Sequence, residues 1–236
     1  MSDYNNEPDR LSRRGFCRSA AWLGAGVVSG VLSRPSAASA ADAAVHEAAT
    51  PAQALELLRE GNARFVAGKT IEPDRSLATL RSLAPQQAPW AALLGCADSR
   101  VPIEILYDQG FGDLFVVRVA GNIATSVEIA SLEFGALVLG AKLINVLGHT
   151  NCGAVKAALA GGEVPGQIST LYQHIMPALE HHKMDLDAAI VANVRFQARQ
   201  LRRASPVLGR LVTDGKLAIV GGVFDLESGV VKPVEV

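Results

Sequence analysis

Two short segments carry most of the chemistry available to this chain. One runs Cys96-Ala97-Asp98-Ser99-Arg100, the other His149-Thr150-Asn151-Cys152-Gly153. Together they offer two thiolates and one imidazole, which are zinc ligand types. Three protein ligands leave a tetrahedral ion one open position. That is the pattern of catalytic zinc, whereas structural zinc is closed by four ligands, usually in paired-Cys spacing. His149 and Cys152 are three apart, a spacing that lets both bind one ion, and Gly153 follows where the backbone is expected to need room. Asp98 lies two residues from Cys96, near the ion without having to bind it. Arg100 can hold Asp98 through a charge-assisted, bidentate pair. An Asp held in this way stays ionised and can orient an oxygen nucleophile on the metal toward an electrophile. Two thiolates neutralise the dication, so its water should acidify less than in a three-histidine site, where the pKa is about 7. Activity is therefore expected to rise with pH, with a midpoint above neutrality.

The elements that must position these residues are legible from apolar runs and punctuation. Thr50-Pro51 reads as an N-cap with proline at the first helical position, and the helix runs to about Val66. Lys69 to Ala88, with Pro73 and Pro85, reads as loop. Trp90–Gly95 and Lys142–Gly148 are short continuous apolar runs, and Leu114–Val119 is β-branched; all three suit buried strands. Helices are expected over Pro102–Tyr107, Ser126–Gly140 and Gly153–Ala160, with two or three more between Gln167 and Val212. Leu217–Phe224 and Gly229–Val234 read as strands forming a terminal hairpin. Gly161-Gly162 and Gly221-Gly222 read as turns. Apolar strands alternating with helices predict an α/β fold with a central, mostly parallel β-sheet flanked by helices. Cys96 and His149 then each follow a strand, where ligands bind in such sheets.

The first forty residues read as an export signal rather than fold. Arg13-Arg14 lies in a basic n-region, Ala20–Leu32 is weakly apolar, and Ala38-Ser39-Ala40 is a small-x-small cleavage site. The paired arginines resemble a twin-arginine (Tat) signal, with Cys17 in place of the usual Leu. Cleavage is expected after Ala40, leaving residues 41–236 as a single domain in the periplasm or otherwise outside the cytoplasm. The Tat translocon would be a partner during export. It moves folded proteins, so zinc is expected to be loaded before the thiols meet an oxidising compartment. The whole chain has 22 basic and 23 acidic residues; the first forty hold five and three of these, so residues 41–236 keep 17 and 20, a formal net of −3. That balance argues against nucleic acid as a partner and against stable membrane association after cleavage. It also leaves Cys96 and Cys152 as the remaining cysteines. A disulfide would be the simple alternative for an exported chain, but it has no use for His149, Asp98 and Arg100 beside the thiols.

With both motifs in place, the chain resembles the β-class carbonic anhydrases over roughly Thr50 to Val234. The resemblance implies that Cys96, His149 and Cys152 bind Zn²⁺ and that Asp98 and Arg100 form the catalytic dyad. The implied reaction is reversible hydration of CO₂ to bicarbonate and a proton by a zinc-bound hydroxide. Gln87 falls where plant-type members place a substrate-positioning glutamine, and Phe115 falls at an aromatic pocket position. Gly121 and Asn122 after Arg118 match the segment beside the site. Phe134 replaces a frequent Tyr, and Leu93 replaces the Trp of bicarbonate-regulated members. Phe115, Phe134 and Ala120 would line a small apolar pocket, with Gly121 and Gly153 at its edge. Glu133 lies where a helix contributes across a dimer contact. The resemblance further implies a homodimer or homotetramer and the open form, with Asp98 on Arg100 rather than on zinc.

Two other readings use the same residues. Relatives with this ligand set act on CS₂ or COS, and a non-catalytic zinc protein could bind bicarbonate as a sensor. Intact Asp98 and Arg100 disfavour the sensor, because binding alone does not need them. His174 and His181 are seven apart, with His182 adjacent; they read as exposed helix histidines before a second metal site or proton shuttle. Arg202-Arg203 reads as a solvated helix face.

Overall fold

The apolar runs of the sequence become strands buried from both sides. The computed structural model describes residues 48, 50–179 and 184–236. Residues 1–40, which the sequence reads as an export signal, and His46, His181 and His182 lie outside the described residues. Strands β1 (Ala91–Gly95), β2 (Leu114–Arg118), β3 (Leu143–His149), β4 (Ala218–Phe224) and β5 (Val231–Val234) form one sheet in the order β2-β1-β3-β4-β5. The first four are parallel, and β5 is antiparallel to β4. After β1 the chain moves to β2 on one side, then crosses back to β3 on the other. The strand order therefore reverses between β1 and β3, and the crevice at their carboxyl ends is where such sheets bind ligands.

Alternate strand residues feed two cores. Ala92, Leu94, Ile144 and Val146 pack with Val155 of helix α5 (Gly153–Ala160) and with Ile190 and Val194 of helix α7 (Leu186–Ala204). On the other face Ala91, Leu93, Leu143 and Leu147 pack with Leu58 of helix α1 (Pro51–Val66) and with Ile103 and Leu106 of helix α3 (Ile103–Leu106). Helix α1 begins as the sequence predicts. Thr50 and Gln53 form a capping box around Pro51, an arrangement worth about 1 kcal/mol. Asn62 clamps the helix down, donating to the carbonyls of Leu106 (3.0 Å) and Gly229 (2.9 Å) and accepting from the Val231 N–H (2.9 Å). Asp108, wholly buried after α3, binds Arg64 at 2.6 Å and the N–H groups of Ile71 and Glu72. Burial alone would push this carboxyl up, but Arg64 and the two N–H groups more than offset it and hold the carboxyl below its usual range.

Four expectations are corrected. A helix, α2 (Leu77–Leu83), stands where the sequence suggests loop; Ser76 caps it through the Thr79 N–H at 3.0 Å. None of its residues is buried, so it leaves no apolar period to read. The long helix after Ser126 is divided. Helix α4 ends at Glu133 (Ser126–Glu133), and Phe134–Val138 continues as a π-turn, with the Leu139 N–H on the Phe134 carbonyl at 3.1 Å. His149 ends β3 rather than following it. Gly221-Gly222 is no turn but the buried middle of β4. A Cβ on Gly221 would meet Val194 Cγ1 and Val236 Cγ1 at 2.8 Å, and one on Gly222 would meet Val231 Cγ1 at 2.9 Å. The pair is there so that α7 and β5 can approach the strand. Helices α6 (Ile168–Ile175) and α8 (Pro206–Thr213) complete the set expected after Gln167.

Candidate metal centre

Cys96 follows the last residue of β1, and its register neighbour β3 carries His149 at its own end. Asn151 then takes a left-handed conformation, φ +53°, which Asn tolerates better than most residues. That tight turn brings Cys152, the N-cap of α5, back beside His149. The ligand atoms of Cys96, His149 and Cys152 all lie within 4.8 Å of one another, and all three side chains are buried. Both cysteines are free thiols.

The donors are prepared for a cation. His149 Nδ1 lies 2.9 Å from the Thr150 carbonyl. A carbonyl only accepts, so Nδ1 carries the proton and the Nε2 lone pair is free. Nε2 is buried with no hydrogen-bond partner among the described residues, and Asp98 Oδ2 lies 3.8 Å from it. A lone pair, a carboxylate and two sulfurs facing one point repel each other unless a cation sits between them. The thiols show the same design. Cys96 is drawn well below the usual thiol range, chiefly by the Cys152 thiol and with further help from the Gly121 N–H, against the opposing effect of burial. Cys152 is pushed up by the neighbouring Cys96 sulfur and by burial. Two sulfurs this close disfavour two thiolates unless a dication lies between them. The residues fit zinc.

Asp98 is fixed beside this group. Arg100 donates from Nε to Oδ1 at 2.9 Å and from Nη2 to Oδ2 at 2.8 Å, and its backbone N–H adds a third bond at 2.9 Å. These bonds hold the carboxyl well below the usual carboxylate range, the Arg100 side chain contributing most and burial opposing it. Arg118 enters the sequence reading only as part of a matching segment, yet its role is larger. It donates to the carbonyls of Cys96 (3.0 Å) and Asp98 (2.6 Å) and so ties down the backbone of the whole first motif. Gly121, in the turn Ala120–Asn122, sends its N–H to Cys96 Sγ at 3.3 Å.

The remaining pocket residues divide in two. Ala120, Gly121 and Gly153 lie at the carboxyl end of the sheet with the ligands. Gly153 is not cramped, however: a Cβ there would meet no atom within 4 Å. Phe115 and Phe134 form a tilted ring pair with centroids 6.4 Å apart, but Phe115 is the register partner of Ala92. Ala92 precedes Cys96 by four residues, about 13 Å along a strand. Gln87 is exposed ahead of the amino end of β1. Within one chain these three residues sit at the opposite end of the sheet from the metal group. Glu133 accepts a hydrogen bond from Ser205 of its own chain. His174 is half-buried on α6.

Residues 91–231 match the family model described as carbonic anhydrase. Carbonic anhydrase 2 of Mycobacterium tuberculosis is 40% identical over 187 residues, spanning 76% of this chain and 90% of that protein. Among solved structures, one described among two tetrameric β-carbonic anhydrases from the ascomycete Sordaria macrospora aligns with a TM-score of 0.62 at 26% identity, over 66% of this chain and 86% of that one. A Coccomyxa β-carbonic anhydrase in complex with acetazolamide aligns at 0.60 and 27% identity, over 79% and 87%.

Proposed function

We infer that this chain, which belongs to the β-carbonic anhydrase family, catalyses the reversible hydration of CO₂ to bicarbonate and a proton. The observation that carries the reading is the convergence of Cys96, His149 and Cys152 beside a carboxylate that Arg100 grips through Nε and Nη2. Those three residues would hold zinc. When bound, zinc supplies a Lewis acid that makes a water nucleophilic near neutral pH. Asp98 accepts a hydrogen bond from the attacking water and turns its lone pair toward the CO₂ carbon. Arg100 holds Asp98 in place and fixes which way its oxygens point, and Arg118 keeps the peptide under both from shifting. In the net reaction a bond forms between the water oxygen and the carbon, one C=O π pair moves onto oxygen, and one proton leaves to solvent. Zinc content and stopped-flow CO₂ hydration on the purified protein test the reading. Turnover of CS₂ or COS with none of CO₂ would move it to the alternative hydrolase. Zinc and bicarbonate binding with no turnover of any of the three would make it a sensor.

The active unit is an oligomer. Val127, Phe134, Leu137 and Val138 are 69%, 47%, 58% and 62% exposed along α4 and the π-turn, an apolar stripe of the kind that marks an interaction surface. Strand β2 beside it is an edge of the sheet among the described residues, and an edge strand is a template for pairing with another chain. A second copy covering this face would bring Gln87, Phe115 and Phe134 to the pocket of its neighbour, completing a site that one chain leaves open. Leu137→Glu with Val138→Glu should reduce the particle to the mass of a single chain by light scattering and lower CO₂ hydration in step. An unchanged mass would sink this interface.

The amino-terminal segment is read as a Tat signal cleaved after Ala40, which makes the mature enzyme periplasmic or otherwise exported. Arg13→Lys with Arg14→Lys should keep the chain uncleaved in the cytoplasm on fractionation. Continued appearance of the mature form outside the cytoplasm would rule the Tat route out.

A further inference from the structure

Helix α7 buries two uncharged amides, Asn193 and Gln197, on a face otherwise made of Ile190, Val194, Ala198 and Leu201; each amide is 1% exposed. Asn193 Nδ2 donates to the Gly121 carbonyl at 2.8 Å. Gln197 Nε2 donates to Asn193 Oδ1 and to the His174 carbonyl, both at 2.9 Å, and its Oε1 accepts the Ala124 N–H at 2.9 Å. The pair therefore grips the loop between β2 and α4 at Gly121 and again at Ala124. The same Gly121 points its N–H at Cys96 Sγ. Gly121 has no slack of its own: its φ is +76°, and a Cβ would meet Ile175 Cδ1 at 2.8 Å and Ala154 Cβ at 3.3 Å.

We propose that Asn193 and Gln197 are positioning residues for the metal centre, holding the Gly121 N–H on the Cys96 sulfur and so setting how that thiolate binds zinc. This rests on the reading of Cys96 as a zinc ligand. A hydrogen bond to a thiolate draws density from the sulfur, and outer contacts of this kind orient a ligand and tune its donor strength. The bland alternative is that the amides only satisfy the buried carbonyl of Gly121 and N–H of Ala124. The two roles separate in the metal and not in the fold. Asn62 supplies a matched control, because it is a buried amide that also bridges backbone groups, on the other face of the sheet and away from the ligands.

Zinc-loaded wild type, Asn193→Ala, Gln197→Met and Asn62→Ala are to be compared for zinc loss to a chelator, for melting temperature, and, after cobalt substitution, for the thiolate-to-cobalt charge-transfer band. The α7 variants should bind zinc about 10- to 100-fold more weakly, the range that outer-contact losses give at other zinc sites, and should shift the band. Asn62→Ala should lower the melting temperature while keeping wild-type zinc retention and spectrum. Gln197→Met conserves volume and serves if Asn193→Ala does not fold. Wild-type zinc retention and spectrum in the α7 variants, with only the melting temperature lowered, overturns the proposal. A wild-type chain that takes up no zinc overturns the ligand reading beneath it instead.

Discussion

Cys152→Ser should leave the purified protein without zinc and without measurable CO₂ hydration, while most of the fold survives. The sulfur is one of three donors, and a serine hydroxyl is not deprotonated at neutral pH, so the site loses a charge as well as a ligand. The two remaining donors, Cys96 and His149, still converge, but two ligands seldom retain a dication against buffer. The chain itself loses little, since Cys152 caps α5 without a side-chain hydrogen bond, and the strands behind it pack on apolar residues. The stability signature is more telling than the activity. Zinc stabilises the native state by mass action, about 4 kcal/mol when its concentration is 1,000 times Kd. Wild-type melting temperature should therefore fall on chelation and recover with added zinc, whereas Cys152→Ser should melt at one temperature in both conditions. Zinc at wild-type stoichiometry in the variant would remove Cys152 from the ligand set.

The ligands are readable from sequence because three constraints coincide in a few residues: soft donor type, an x-x spacing between His149 and Cys152, and positions at the ends of apolar runs. Strand ends are visible in sequence as the place where apolar character stops. Which end of the sheet a residue occupies is not. Phe115 and Phe134 are right in type for an apolar pocket, yet register puts Phe115 opposite Ala92, far down the strand from Cys96. A single chain's pattern carries no sign of whether such a residue faces its own metal group or the surface. Gly221-Gly222 misleads for a related reason. Paired glycines usually mean a turn, and only the close approach of Val194 and Val231 explains them inside a strand. The π-turn at Phe134 leaves the apolar spacing nearly helical and so carries no separate signal. Asn193 and Gln197 do leave one. Two amides four residues apart on an apolar helix face are costly unless partnered, and that spacing is written in the chain itself.

Asp98→Asn should lower kcat for CO₂ hydration by about 10²- to 10⁴-fold, the range expected when a group that handles a reacting proton is lost, with zinc content unchanged. The amide keeps the shape but puts an N–H donor where a carboxylate oxygen accepts, so the attacking water loses its orientation. Arg100→Ala tests how the dyad works. In the native protein Asp98 titrates well below the usual carboxylate range, first because of its side-chain bonds from Arg100. Removing Arg100 lets the carboxyl return toward about 3.9, which still leaves it ionised at neutral pH. Any activity lost in Arg100→Ala near neutrality therefore comes from orientation and not from protonation. The ratio of wild-type to variant kcat should accordingly be flat from about pH 6 to 9. A depressed carboxyl pKa contributes stability that is present above the unfolded value, near 3.9, and is lost as pH falls toward the native one. The stability curves of wild type and Arg100→Ala should thus keep a constant separation above about pH 5 and converge only at lower pH. A kcat ratio that climbs steeply as pH drops from 7 to 6 would mean that Arg100 serves to keep Asp98 charged, and the orienting role would fall.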